Sequence, residues 1–263
     1  MNEDGEKKRL NWNSRGQITI FIIIAIVIVG VAVLIYFLSS NTITSTNSGL
    51  DTNNPNGFVQ TCLQDEIQNT IDTVSSQGGS MNPEHYFTYN DIPIEYLCYT
   101  NENYKTCSVQ QPLLKQHIEL EIKAEINDEV ASCFDALRKS YENKGYTVQI
   151  QTGTTKVELL PKRVATTMSY TLTVTKSNTE RYDSFNIVLN NNLYELVSIA
   201  NSIVEWEATV GDADPSLYMS LYPDLRVQKN LRDDGTRIYV LTDRNTEDKF
   251  QFASRSVVFP PGY

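Results

Sequence analysis

The amino-acid sequence predicts an α+β protein in which one N-terminal hydrophobic helix and a polar tether precede a globular domain. A long apolar run without charge lies near the start of the chain, and apolar residues recur at helical spacing in three later segments. Segments of strand composition follow one another in blocks rather than alternating with helices. This order favours two or three helices packed on an antiparallel β-sheet.

The first predicted element is a transmembrane helix at Ile18–Leu38. The run carries no charge, and no charged residue lies between Arg15 and Asp51. Such a helix spans about 31 Å, close to the roughly 30 Å hydrocarbon core of a bilayer. A cleaved secretory signal is the alternative, but signal cores are shorter and the following IYFLSSN offers no small-residue cleavage site. We therefore predict that the lipid bilayer is a partner of this run.

The distribution of basic residues predicts the orientation of this helix. Four Lys or Arg residues lie within the first fifteen positions, and the first basic residue after the run is Lys105. Because basic residues beside a span stay on the cytoplasmic side, residues 1–17 are expected to form a cytoplasmic tail. The chain is then a single-pass protein of the cell membrane, with its bulk extracytoplasmic.

The region after the helix divides into a linker and a domain. Thirteen of the nineteen residues in 39–57 are Ser, Thr or Asn, a composition typical of a flexible tether. Residues 58–263 are predicted to form the extracytoplasmic α+β domain. Residues 39–263 contain 18 Lys and Arg against 29 Asp and Glu, a net charge of −11. This charge excludes nucleic acid as a partner and leaves an envelope protein or glycan.

Within the domain, apolar periodicity predicts three helices, at about 58–76, 113–143 and 193–208. Gly78-Gly79 ends the first of these helices, and Gly145 follows the second. Segments rich in Thr, Tyr and Val indicate strands. The strands are expected at Tyr146–Gln151 and Lys156–Leu160 joined by TGTT, at Val164–Thr175 and Tyr182–Leu189 around KSNTER, and in a closing meander of Leu225–Leu231, Arg237–Leu241 and Lys249–Val258.

Five tyrosines crowd into the segment between the first two helices, which is expected to form irregular strands or a hairpin. They are Tyr86, Tyr89, Tyr96, Tyr99 and Tyr104. Tyr offers a large rigid contact area and a hydroxyl group at low entropic cost, so the segment is a candidate binding surface. The alternative is that about half of these rings pack the sheet onto the helices.

The four cysteines, Cys62, Cys98, Cys107 and Cys133, all follow the predicted membrane helix. An even number confined to the exported side favours disulfide bonds. Cys98 and Cys107 flank a short polar loop, and the other two lie on apolar helix faces, which predicts the pairs Cys98–Cys107 and Cys62–Cys133. Buried free thiols are the alternative. A metal site is disfavoured because the sequence has no close C-x-x-C pair.

No motif for catalysis or cofactor binding is present, so we expect no enzyme activity, no cofactor and no metal. The two histidines, His85 and His117, stand in no recognised nucleophile context and are interpreted as surface residues. The carboxylates on the second helix are interpreted as its solvated face; they are Glu119, Glu121, Glu125, Asp128 and Glu129. In Gly211–Pro215, Asp214 is expected to cap a short helix rather than bind calcium.

The junction RGQITIF, residues 15–21, resembles the N-terminus of uncharacterised archaeal single-pass envelope proteins. It is also similar to the class III signal of archaeal pilin-like proteins. This resemblance implies cleavage by a prepilin-type peptidase between Gly16 and Gln17, and filament assembly through Ile18 to Leu38. Pilin-like signals usually carry Glu five residues into the mature chain, where this sequence has Phe21. The sequence therefore favours an anchored domain with a structural or binding role at the envelope, with the pilin-like subunit as the alternative.

Overall fold

A computed structural model describes residues 54–258 and, outside this range, Val27 alone. This range lies within the second of the two units into which the chain divides, Leu50–Tyr263. The predicted transmembrane helix, apart from Val27, the cytoplasmic tail, the processing site at Gly16 and Gln17, and most of the linker lie outside the described residues. Among the described helices, none is both long enough and apolar enough to cross a membrane.

The described range is α+β, and its helices fall where the sequence predicts them. They are α1 (Pro55–Ser76), α2 (Leu114–Asn143), α3 (Leu193–Thr209) and α4 (Pro215–Leu221). Helix α1 begins inside the predicted linker for two reasons. Asn54 caps it, since its side chain accepts a 3.1 Å hydrogen bond from the Gly57 N–H, and Pro55 suits the first helical position. Asp214 caps α4, as predicted, and accepts a 2.9 Å hydrogen bond from the Ser216 N–H.

Helices α1 and α2 form an antiparallel pair at the centre of the hydrophobic core. The start of α1 meets the second half of α2 at Cys62 and Cys133, and the loop after α1 meets the first turns of α2 at Leu114 and Ile118. The predicted stripe of α2 is fully buried. Its members are Ile118, Ile122, Ile126, Val130, Phe134, Leu137 and Tyr141.

Twelve strands in the described range form three sheets rather than one. The largest has the order β1-β2-β12-β11-β10, with β3 also paired to β2; the others are β4-β7-β8 and β5-β6-β9. The strands are β1 (Tyr86–Tyr89), β2 (Ile92–Tyr99), β3 (Ser108–Val109), β4 (Thr147–Gln151), β5 (Thr155–Leu160), β6 (Arg163–Met168), β7 (Thr171–Thr175), β8 (Thr179–Tyr182), β9 (Phe185–Asn190), β10 (Leu225–Leu231), β11 (Thr236–Asp243) and β12 (Lys249–Arg255).

The predicted strand Val164–Thr175 is broken into β6 and β7, which belong to different sheets. Strands β5 and β6 pair with each other, as do β4 and β7, so residues 147–175 form one long hairpin with a corner. At the corner, a Cβ on Gly153 would lie 1.8 Å from the Ser169 carbonyl oxygen. Because Gly153 has no side chain, the two arms of the hairpin can approach this closely at the corner.

One further prediction about the strands is wrong, and another is confirmed in part. Thr179–Arg181, expected in a loop, belongs to β8, which pairs with β7, and the next strand begins only at Phe185. The predicted antiparallel pairing is confirmed for eight of the nine strand pairs in the described range, and the exception is the parallel pairing of β12 with β2. The Tyr-rich segment supplies β2, and α1 packs against β12, so a strand from early in the chain pairs with the outer strand of the closing meander.

A buried carboxylate, Glu207 near the end of α3, joins this helix to the largest sheet. Glu207 is wholly buried and accepts hydrogen bonds from the Tyr239 hydroxyl, from Ser254 Oγ at 3.2 Å and from the Ala213 N–H at 3.0 Å. Arg237 Nη1 lies 3.2 Å from Glu207 Oε2 and neutralises its charge. Burial and the neighbouring Glu207 raise the pKa of Tyr239, which keeps the phenol protonated as a donor.

The four cysteines form the two pairs predicted from the sequence, leaving no free cysteine in the described range. The Cα atoms of Cys62 and Cys133 are 6.1 Å apart, and those of Cys98 and Cys107 are 5.4 Å apart. The first bond links the two central helices, and the second closes the loop between β2 and β3.

We expect Cys133→Ser to lower the free energy of unfolding by about 2–5 kcal/mol, because this bond closes a long loop in the unfolded chain. Cys62, which is exposed, should then react with a thiol reagent. Cys98→Ser should loosen the loop before β3 and leave α1 and α2 paired. Denaturant unfolding and non-reducing peptide mapping test these outcomes, and a peptide joining Cys62 to Cys98 or Cys107 would contradict the pairing.

Candidate functional site

A polar cavity of about 300 Å³ opens where the loop after α1, strand β2 and the first turns of α2 meet. Three carboxylates, both histidines of the chain, three side-chain amides, one serine and one tyrosine line this cavity, and no Lys or Arg is among its described lining residues. We call it the Ser80 cavity, after the residue at its centre. Its wall combines groups that lie far apart in the sequence.

The Gly78-Gly79 pair that ends α1 allows the loop to reach this position. Both residues have positive φ angles, 86° and 111°, which favour glycine. A Cβ on Gly78 would lie 2.9 Å from the Cβ of Glu95, and one on Gly79 would lie 3.0 Å from Leu114 Cδ1. The loop therefore packs directly on β2 and α2, and the Glu95 N–H donates a 3.0 Å hydrogen bond to the Gln77 carbonyl oxygen.

Ser80 connects a carboxylate to an imidazole. Its Oγ lies 2.5 Å from Glu95 Oε2 and 2.7 Å from His117 Nε2. The Ser80 hydroxyl donates its single proton to the carboxylate, so its Oγ can only accept in the contact with His117 Nε2. Gln111 Nε2 donates to the other carboxylate oxygen at 3.2 Å. The result is a continuous chain of hydrogen bonds from α2 through the loop to β2.

The acidic face of α2 is only partly solvated, which corrects the interpretation of two of its carboxylates. Glu121 accepts a 2.8 Å hydrogen bond from the Met81 N–H and lines the Ser80 cavity. Glu119 accepts a 2.8 Å hydrogen bond from the Leu159 N–H on β5. These two residues hold neighbouring segments against the helix. The other three carboxylates are exposed, as predicted: Glu125, Asp128 and Glu129.

Aromatic rings form one wall beside this cavity. The His85 ring centroid lies 4.8 Å from that of Tyr96 and 4.2 Å from that of Tyr99. The Tyr96 hydroxyl is 2.9 Å from Thr236 Oγ1, and burial raises the pKa of Tyr96. Tyr96 is therefore a protonated, hydrogen-bonded ring that holds the exposed His85 in place.

The five tyrosines of the candidate binding surface lie in different environments. Tyr96 is buried and lines the Ser80 cavity, Tyr99 and Tyr89 are half-buried, and Tyr86 and Tyr104 are exposed. Tyr89 packs beneath the Arg232 guanidinium, 4.7 Å from the ring centroid. Binding through the exposed members stays a prediction, and Tyr96 is the member that the structure brings to the cavity.

The arrangement around Ser80 differs from a catalytic triad. In a triad the imidazole stands between the serine and the carboxylate, so that the carboxylate orients the base. Here the hydroxyl stands between Glu95 and His117, and Ser80 is 95% buried, with only 5% of its surface exposed. Such a chain fixes donors and acceptors in space and suits the recognition of a polar ligand.

The described residues contain no cluster of three or more His, Cys, Asp and Glu that could hold a metal ion.

The interpretation of His117 as a surface residue is wrong, because it is half-buried and bonded to Ser80. No spacing in the sequence signals this site, since Ser80, Glu95 and His117 come from three separate elements.

Comparisons with protein-family models, with curated proteins and with solved structures find no match to this chain. The function is therefore argued from the chemistry of the site and from the sequence.

We expect Ser80→Ala to lower the free energy of unfolding by about 1–3 kcal/mol, because it leaves the buried Glu95 carboxylate with one donor fewer. Ser198→Ala is the matched control, since this exposed hydroxyl bonds only to the Tyr194 carbonyl oxygen of its own helix. Urea unfolding of both variants provides the measurement. Equal midpoints for Ser80→Ala and Ser198→Ala would mean that the hydrogen-bond chain carries no stability.

Proposed function

We propose that this protein is a membrane-anchored extracytoplasmic binding domain, without enzyme activity or cofactor, that takes a small polar component of the cell envelope into the Ser80 cavity. The observation that carries the proposal is the convergence of both histidines, Ser80 and three carboxylates on one concave site. A cavity with a few converging polar groups is the usual form of a small-ligand site.

The anchoring part of the proposal is supported by the sequence. The uncharged run Ile18–Leu38 has the length of a membrane span, and basic residues precede it on one side only. Two disulfide-bonded pairs in the domain fit an oxidising compartment outside the cytoplasm. A tether of Ser, Thr and Asn would hold the domain at a distance from the bilayer, where envelope proteins and glycans are within reach.

Binding is favoured over catalysis by the state of the groups in the cavity. Ser80 is buried and donates its single proton to Glu95, so the hydroxyl has no proton left to give to His117. An acyl-transfer nucleophile instead needs an accessible hydroxyl and a base that receives its proton. Gln110, Gln111 and Asn82 add amide groups that can both donate to and accept from a ligand.

The alternative function is a pilin-like subunit, which the junction of Gly16 and Gln17 with the apolar run favours. In this alternative the chain is cut between these residues and assembles into a surface filament through Ile18–Leu38. The anchored domain is preferred because Phe21 stands where pilin-like chains usually carry Glu.

The experiment is co-purification of envelope material with the tagged full chain from native membranes. We expect wild type and Glu129→Gln, altered on the exposed face of α2, to retain the same envelope component. His117→Ala should lose at least about 90% of it, because the change removes part of the cavity wall and the imidazole that orients Ser80, a loss equivalent to about 1.4 kcal/mol. Retention unaffected by His117→Ala would sink the proposed site.

The mature N-terminus of the same preparation separates the two functions. Met1 or Asn2 as the first residue supports the anchored domain. Gln17 as the first residue supports the pilin-like subunit and contradicts retention of the cytoplasmic tail.

A further inference from the structure

Two buried carboxylates of the domain differ in how their charges are neutralised. Glu207 is wholly buried and forms an ion pair with Arg237, whose Nη1 lies 3.2 Å away. Glu95 is almost as deeply buried, with 8% of its surface exposed, but its hydrogen-bond donors are the neutral Ser80 hydroxyl and Gln111 amide. A buried charge is normally paired with an opposite charge.

The negative charge of the Ser80 cavity is larger than that of Glu95 alone. Glu84 and Glu121 also line the cavity, and none of the three carboxylates takes part in an ion pair with the Lys, Arg or His residues described. His117 is a lining residue that could carry positive charge, but the Ser80 hydroxyl lies between it and Glu95. The cavity therefore presents uncompensated negative charge beside a buried acceptor.

We infer that the ligand of the Ser80 cavity carries an organic ammonium group, which supplies the cation that Glu95 lacks. The inference rests on the proposed function and specifies its ligand class. An ammonium group donates up to three hydrogen bonds, and the three carboxylates that line the cavity provide acceptors. An anionic ligand is disfavoured because it would meet three carboxylates and, among the described lining residues, no Lys or Arg.

The shape of the site favours an organic cation over a metal ion. The described residues offer no metal-binding cluster, and a volume of about 300 Å³ exceeds what a bare ion fills. It instead matches the lower end of the roughly 300–1,000 Å³ range for small organic ligands. The His85 and Tyr96 rings line the cavity and can contact the carbon skeleton of such a ligand.

The test uses three sugars of similar size and different charge: glucosamine, with its amine protonated, glucose and glucuronate. Each is titrated into the full-length chain in detergent micelles, with binding measured by calorimetry. We expect glucosamine to bind at least about tenfold more tightly than glucose, a difference of about 1.4 kcal/mol, and glucuronate to bind most weakly. Calcium and zinc chlorides are titrated separately and should give no saturable heat.

Glu95→Gln keeps the shape of the side chain and removes its charge. In this variant the affinities for glucosamine and glucose should converge, while glucose binds as it does to wild type. Glu84→Gln, at an exposed position of the cavity rim, should reduce the preference for glucosamine by a smaller factor. This second variant keeps the test valid if Glu95→Gln fails to fold. Glu129→Gln is the control outside the cavity and should leave all affinities unchanged.

The outcomes separate the ligand class from the binding site. Equal or tighter binding of glucose or glucuronate, lost in His117→Ala, would overturn the ammonium inference and leave the proposed site intact. Saturable binding of a metal ion that Glu95→Gln abolishes would overturn it in favour of an inorganic cation. If none of the sugars binds while envelope material is still retained through His117, the inference fails and the proposed function stands.

Discussion

The ion pair between Glu207 and Arg237 is the interaction on which the arrangement of this domain most depends. Glu207 receives donors from strand β11, strand β12 and the loop before α4, so one carboxylate joins four elements. Its own carbonyl oxygen accepts a 3.2 Å hydrogen bond from Ser256, whose Oγ also accepts from the Cys107 N–H. The second disulfide and the end of the described chain are thereby held to the same point, in a region where an unpaired charge would be strongly unfavourable.

Most of the helices could be predicted from the sequence, and the arrangement of the strands could not. The stripe from Ile118 to Tyr141 fixes one face of α2 through its spacing alone. Strand pairing depends instead on contacts between distant segments, such as the approach of Gly153 to Ser169 that turns one predicted strand into two. The parallel pairing of β12 with β2 likewise has no local signal, because it is set by where α1 and the Tyr-rich segment pack. The cysteine pairing could be predicted, because Cys98 and Cys107 flank one short loop and Cys62 and Cys133 lie on two predicted helices.

The candidate site could not be predicted from the sequence either, because it depends on contacts between distant segments. Each of its residues has an ordinary local explanation: Ser80 follows a helix-ending Gly pair, Glu95 lies in a strand, and His117 lies on a charged helix. The site forms because Gly78 and Gly79 allow the loop to pack between β2 and α2. This packing brings the Ser80 hydroxyl within 2.5 Å of Glu95 and 2.7 Å of His117. The carboxylates of α2 have a dual role for the same reason, since Glu121 holds this loop while contributing charge to the cavity. The domain therefore uses two buried carboxylates in different ways. Glu207 is neutralised by Arg237 and stabilises the fold, whereas Glu95 is left for a ligand.

The most direct measurement of this distinction compares the unfolding free energies of Glu207→Gln and Glu95→Gln in the absence of ligand. Glu207→Gln breaks this buried ion pair and leaves the exposed Asp212, 3.3 Å from Arg237 Nε, as the remaining charged partner of Arg237 in the described range, so we expect a loss of about 3 kcal/mol. Glu95→Gln removes a carboxylate that forms no ion pair with the residues the structure describes, and we expect its stability to equal or exceed that of wild type, as is common where a site is built for function. A loss for Glu95→Gln as large as that for Glu207→Gln would contradict this distinction and assign Glu95 a structural role.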